Sequence, residues 1–338
     1  MKKKFNIIIF IFFILIPHSN SNAEINIYSH RHYDADKILY KSFTKETGIK
    51  INVIKGGADQ LIERIISEGK DSPADILITV DAGRLERAKA SGILQSASSK
   101  ILDKNVPIEM RDPEGYWYGL TVRARVIVYS KNRVKPSELS TYEDLSHPKW
   151  KGRIVARSSN NIYNQSLLAS IIAANGRNKA LKWAKEVRQN MARSPRGSDR
   201  DQARAVSDGL ADIAIMNTYY IGILASSSNP SDREVAKNVG VFFPNQKGRG
   251  THINVSGAGI TTSSKNKKDA LKFLEFMTRN KSQEVFGNVN YEYPLRMKNN
   301  QSSLLKSWGP FKLDSLNLSE LGEKNSEAVK LFDLADWE

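Results

Sequence analysis

Two histidines one residue apart, His30 and His32, stand in the stretch YSHRHYD (28–34) beside Tyr28 and Tyr33. Two further stretches carry tyrosines: RSSNNIYNQS (157–166) holds Tyr163, and NTYYIG (217–222) holds the adjacent pair Tyr219 and Tyr220. The H-x-H pair points to an imidazole metal site of the kind that holds zinc. The chain has no cysteine, so such a site would need His147 and His252 to converge on the pair, or carboxylates to join it. The tyrosines point to different chemistry. A phenolate is a hard anionic oxygen donor, suited to a hard, highly charged cation such as Fe³⁺. Ionising a free tyrosine at pH 7 costs about 4 kcal/mol, and a bound cation reverses that preference by deprotonating its ligands. Three or four phenolates would balance a ferric ion, and Arg123 and Arg125 in TVRAR are placed to offset an excess of negative charge.

Such side chains act together only if the backbone aims them at one point. Adjacent tyrosines in a continuous strand face opposite sides of the sheet, whereas at a strand-to-helix turn both can reach one place. The periodicity puts all three stretches at such turns. INIYS (25–29) alternates as a strand, and Asp34 is expected to cap the helix DADKILYKSFTKETG, with Leu39 and Phe43 on one face and Gly48 at its end. IKINVIKGG follows as a strand, DQLIERIISEGK as a helix, DILITV (75–80) as a parallel strand covered on both faces, and DAGRLERAKASGIL as a helix. This β-α-β-α-β order predicts a doubly wound α/β domain. From Tyr116 the pattern changes to one long extended run, YWYGLTVRARVIVYSK, and HINVSGAGI (252–260) is a second extended run. Between them KGRIVA and ADIAIMN read as strands among three helices. Two α/β lobes joined by two crossing strands would leave a cleft, the usual place for a ligand. Ser158, Ser159 and Asn160, at a helix start, are a candidate seat for an anion. Tyr28 is read as core and His30 as structural.

The remaining sequence bounds the class. Residues 1–23 combine a Lys-rich start, an apolar stretch from Phe5 to Ile16 and a small-residue end, S-N-A. That is the pattern of a secretory signal peptide, with cleavage expected after Ala23, and the apolar stretch is short for a membrane span. Without cysteine, no lipoprotein anchor, disulfide or thiolate ligand is expected. Roughly 315 residues follow the leader, enough for two domains. The net charge is +15, three units of it from Lys2, Lys3 and Lys4. Basic residues are scattered, with no run interleaved with stacking aromatics, so a surface attractive to anions is expected and no nucleic-acid partner is. No G-x-S-x-G or H-E-x-x-H occurs, and no enzyme is expected.

Taken together, RHY-D, PADILITVDAGRL, YWYGLTVRARVIVY, PKWKGRI, NTYY and the late EYPLR make the chain similar to a known family over essentially its whole mature length. It resembles the periplasmic ferric-ion-binding proteins of ABC importers, the FutA-like branch of the iron-binding solute-binding proteins. The resemblance implies a type II periplasmic binding protein fold, with lobes at 24–121 plus 256–296 and 122–255 plus 297–338. It implies a monomer in the periplasm that closes on Fe³⁺ and passes it to an ABC permease in the inner membrane. Carried over by position, the iron ligands are Tyr33 on the first lobe and Tyr163, Tyr219 and Tyr220 on the second. Arg123 and Asn217 lie around them, and His32 matches a position that ligates in some members and stands aside in others. A small synergistic anion could complete the shell. Two departures are visible: Ile223 stands where relatives commonly carry arginine, and Val80 stands near an early carboxylate ligand of some branches, leaving Asp81 as a helix cap. The same fold could instead hold zinc, or a small organic or anionic solute.

Overall fold

The protein is described by a computed structural model covering residues 23–297 and 302–338. The leader expected at 1–23 lies outside them except for Ala23. Three strands pair in parallel: β1 (Glu24–Ser29), β2 (Lys50–Lys55) and β3 (Ile76–Val80). Every residue of β3 is buried, as its unbroken apolar run requires of a strand covered on both faces. Helices α1 (Asp34–Thr47) and α2 (Ala58–Glu68) make the crossovers, and α3 (Ala82–Ala90) leaves β3. The start of α1 corrects the sequence reading. Tyr33, not Asp34, is the capping residue, because the Asp36 carboxylate reaches back 3.2 Å to accept the Tyr33 N–H. Asp34 sits in the first helical turn, paired with Lys37 at the surface. Asp81 caps α3 as expected, accepting from the Gly83 N–H at 3.0 Å.

The short strand β4 (Leu94–Gln95) and helix α4 (Lys100–Asn105) lead to β5 (Tyr118–Ser130), thirteen residues long. Beyond it lie β6 (Ile154–Val155), β7 (Ile213–Asn217), β8 (Val239–Phe242) and β9 (Ile253–Thr261). The first half of β5 pairs antiparallel with β9, from Tyr118 to Ala124, and its second half pairs with β7 and β8. β9 in turn pairs with β3. A continuous sheet in the order β2-β1-β3-β9-β5-β7-β6 results, and β5 and β9 are the two strands that cross between the lobes of a two-lobed α/β fold. The short strands β4 and β8 escaped the sequence reading, whereas β6, just as short as β4, was read within KGRIVA.

The second lobe is faced by α5 (Ile162–Asn175), α6 (Arg177–Gln189), α7 (Asp199–Ser207) and α8 (Thr218–Ala225). The last residues touch both lobes, although the expected boundaries assign 297–338 to the second alone. Helix Ser319–Glu323 packs on α3 and α5, and helix Asn325–Asp333 packs on α5 and α6. Trp337 stacks on Trp183 with ring centroids 6.0 Å apart. Across the cleft, the Ser166 hydroxyl on α5 donates to the Asp81 carboxylate at 2.7 Å. The lobes are therefore closed on one another.

Candidate metal centre

Each of the four tyrosines sits where a strand gives way to a helix, or a loop enters one. Tyr33 precedes α1, Tyr163 lies in the first turn of α5 after β6, and Tyr219 and Tyr220 open α8 directly after β7. Their start signals are local: the Asp36 carboxylate fixes the Tyr33 turn, and the Asn161 side chain accepts the Tyr163 N–H at 3.2 Å. Long-range pairing brings them together. The Tyr163 and Tyr219 hydroxyls lie 3.4 Å apart. The Tyr219 ring is 4.2 Å from that of Tyr220 and 6.2 Å from that of Tyr33, centroid to centroid. Val80 and Ile162 pack against Tyr163, so the position near an early carboxylate is an apolar wall.

Burial is the main force on Tyr33, Tyr219 and Tyr220. It pushes Tyr33 up to about 12, helped by Tyr163 and Glu292 and opposed by the Arg31 guanidinium beneath its ring. Ionising Tyr33 at pH 7 would thus cost about 7 kcal/mol without a cation. Burial, then the neighbouring phenols, holds Tyr219 well above its ordinary value, and burial, Tyr163 and Asp199 raise Tyr220. These three phenols stay neutral unless a strong positive charge arrives among the hydroxyls.

Fixed positive charge surrounds it. Arg123, Arg125 and Arg157 lie 5.3, 5.9 and 5.9 Å from the Tyr163 ring centroid. Arg123 donates to the Ser256 hydroxyl and to the Val255 carbonyl of β9. Arg125, which shares its strand face with Arg123, is buried and paired with Asp199 at 2.8 Å. Asn217 ends β7 and accepts from Arg125 at 3.2 Å. On the first lobe, Arg31 is buried between Asp36 and Glu292. Arg31, Arg157, Asp199 and Glu292 were not singled out from sequence. Arg157 had a signal, following directly on the β6 strand, and Asp199 opens a helix marked by the capping pair Ser198 and Asp201. Arg31 and Glu292 open the quoted RHY-D and EYPLR stretches, but they are 261 positions apart and nothing local in the sequence pairs them.

The histidines do not assemble. His30 spends its Nδ1 on the Gly56 carbonyl at 3.1 Å, His147 caps its own turn at the Lys149 N–H, and His252 is buried where β9 begins. Among the described residues, no group of three His, Asp or Glu comes together to hold a metal. His32 is exposed, with its ring 5.0 Å from that of Tyr33. Ser158, Ser159 and Asn160 form the turn before α5; the Ser158 hydroxyl accepts the Asn160 N–H, and the Ser159 carbonyl accepts from Gln165.

Two lobes joined by two crossing strands and closed over a polar, tyrosine-lined cleft define a solute-binding protein. The chain belongs to the family of bacterial extracellular solute-binding proteins, which matches residues 71–314. It is 52% identical over 314 residues to Iron uptake protein A1 of Synechocystis sp., spanning 93% of this chain and 87% of that protein. Among solved structures, it is similar to the Trichodesmium protein (IdiA, FutA) in complex with iron and citrate ligands. That likeness has a TM-score of 0.91 and 53% identity, over 94% of this chain and 100% of the other. A ferric binding protein from Campylobacter jejuni matches with a TM-score of 0.88 and 47% identity, over 93% and 100% of the two chains.

Proposed function

We propose that the protein binds Fe³⁺ between its lobes through the phenolates of Tyr33, Tyr163, Tyr219 and Tyr220 and delivers it to an ABC permease. One observation carries this reading: four phenols from both lobes cluster around Tyr219, with Arg123, Arg125 and Arg157 about the Tyr163 ring, and among the described residues no group of three imidazoles or carboxylates gathers to compete for a metal. The names of the relatives, an iron uptake protein and ferric binding proteins, support the same cargo. Zinc would call for imidazole or carboxylate donors, and the four histidines of the described residues are engaged apart or exposed. Four phenolates exceed the ferric charge by one, and Arg123 offsets that excess. Binding releases one proton for each phenol that ionises. His32 stands at the mouth as a further donor. A carboxylate-bearing anion would meet Arg157 and the Ser158–Asn160 turn at the edge of the site.

Loading and release follow from the crossings. Closure would turn on β5 and β9 near 119–124 and 252–258, a hinge motion with few backbone changes. The moving bodies would be lobes 24–121 plus 256–296 and 122–255 plus 297–338, with the tail helix Ser319–Glu323 as a strap across both. The protein works as a periplasmic monomer that captures and hands over rather than as a catalyst, exported by the leader at 1–23. Protonation of the phenolates, or reduction to Fe²⁺, weakens the hold and favours release to the permease. Titrating metal-free protein with a ferric chelate tests the cargo, because Fe³⁺–phenolate charge transfer gives a visible band. A colourless complex together with tight Zn²⁺ binding would sink the proposal. Tyr219→Phe and Tyr220→Phe should each lose at least the roughly 10- to 100-fold in affinity that disturbing a metal's surroundings costs. Full affinity and colour in both would mean that the pair is structural.

A further inference from the structure

Arg125 carries a positive charge beside the phenols, yet its hydrogen bonds are spent elsewhere. One guanidinium reaches three acceptors: Asp199 Oδ1 at 2.8 Å, Asn217 Oδ1 at 3.2 Å and Asn164 Oδ1 at 2.6 Å. All four side chains are buried. The acceptors come from different elements. Asn164 is the residue after Tyr163 in α5, Asn217 immediately precedes α8 with Tyr219 and Tyr220, and Asp199 is the first residue of α7. Asp199 also takes Arg157 on its second oxygen at 3.2 Å, and Asn164 returns a bond to the Arg157 carbonyl at 2.8 Å. One planar fork thus ties together the first turns of three helices. Two of them carry the second lobe's three phenols: Asn164 follows Tyr163 directly, and Asn217 stands two positions before Tyr219 and three before Tyr220.

From this geometry we infer that Arg125, anchored by Asp199, is a positioning residue that fixes the spacing of the Tyr163, Tyr219 and Tyr220 hydroxyls before the cation arrives. The one Asp199 carboxylate serves both Arg125 and Arg157, and what Arg125 adds beyond charge is directional: a guanidinium holds several acceptors in one plane, and an ammonium cannot. The inference rests on the ferric reading above and adds to it which residues set the ligand geometry. Pre-set donors spare the ion the cost of ordering them when it binds.

The charge and the geometry of the brace can be separated by experiment. Arg125→Lys keeps the charge and loses the fork. Asp199→Asn removes a negative charge near Tyr220, which on charge alone would ease phenolate formation and tighten ferric binding. The readouts are the ferric charge-transfer band, the affinity from competition with citrate, and the melting temperature of the metal-free proteins. A positioning role predicts a shifted or broadened band and about 10- to 100-fold weaker binding in Arg125→Lys, and weaker binding in Asp199→Asn as well. An unchanged band and affinity in Arg125→Lys, or tighter binding in Asp199→Asn, would overturn it. Should neither variant fold, Asn164→Ala cuts one arm only. It is expected to move the band in the same direction by less, and an unmoved band there overturns the inference. A wild-type protein that takes up no colour with ferric citrate defeats the ferric reading itself; coloured wild type with unaltered variants defeats only the brace.

Discussion

At the scale of single residues, the first lobe holds its one candidate ligand tyrosine by a buried ionic device. Arg31 donates to Asp36 at 2.9 Å and to both oxygens of Glu292 at 3.1 and 2.9 Å, with its guanidinium 4.9 Å from the Tyr33 ring centroid. Asp36 also holds the Tyr33 N–H, so one cluster fixes both the backbone and the ring of Tyr33. Burial pushes the Glu292 carboxyl up, but Arg31, its hydrogen bonds and Arg123 outweigh that and hold it below its ordinary value of 4.5. A lowered carboxylate stabilises the fold fully above the unfolded value, and the gain is lost as pH falls through the folded value. Glu292→Gln should therefore cost about 3–5 kcal/mol at pH 7, the usual penalty for breaking a buried pair. The wild-type advantage should shrink below pH 4.5. Denaturation of both proteins across that range checks the size and the direction together.

At the scale of elements, α8 is gripped from outside the second lobe's sheet. Tyr291 adopts a φ of +56° and lays its ring on Gly222, where an added Cβ would fall 2.3 Å from the ring. Gly222 lies in α8 two residues beyond Tyr220, and Tyr291 is the neighbour of Glu292 in the cluster that holds Tyr33. The contact thereby links the helix bearing two phenols to the device holding the fourth. Gly222→Ala must displace either the ring or the helix. It is expected to weaken ferric binding about tenfold or more, an over-packing penalty of roughly 1–3 kcal/mol, with most of the loss in the dissociation rate. Chelator-chase kinetics would show it, and an unchanged rate would mean that Tyr291 gives way freely. Several elements were open to sequence reading: β3 as an unbroken apolar run, the crossing strands β5 and β9 as extended runs, and α1 by the helical spacing that turns Leu39 and Phe43 inward. The Tyr291 wedge had no such signal, because a glycine inside a short apolar helix looks like any other small residue.

At the scale of the molecule, the turn after β3 is bonded directly to the second lobe. Ser166 on α5 reaches Asp81 on the first lobe at 2.7 Å, and the other Asp81 oxygen takes Asn254 of β9 at 2.8 Å. Asp81 itself sits at a φ of +83°, a region costing a non-glycine residue on the order of 1–3 kcal/mol. Ser166→Ala leaves Asp81 its other donors and should spare the fold while removing a bond to a charged group, worth about 1.5–3 kcal/mol. Closure should weaken accordingly, and ferric release to a chelator should quicken by roughly 10- to 100-fold. In solution scattering, ferric loading of the wild type should reduce the radius of gyration. A radius unaltered by loading would contradict a hinged mechanism.

What the sequence by itself determined is local. Tyrosines at three chain positions follow strand signals and precede or open helices, and the zero cysteine count removes thiolate chemistry. Those facts depend on a few adjacent residues and survive any arrangement of the lobes. The tertiary structure alone decided which side chains share one cavity. Arg125 meets Asp199 across 74 positions, and Arg31 meets Glu292 across 261. Periodicity tells which face a residue takes, while a buried charge is tolerable only beside its partner. That partner is chosen by strand order and lobe closure, which local pattern does not encode.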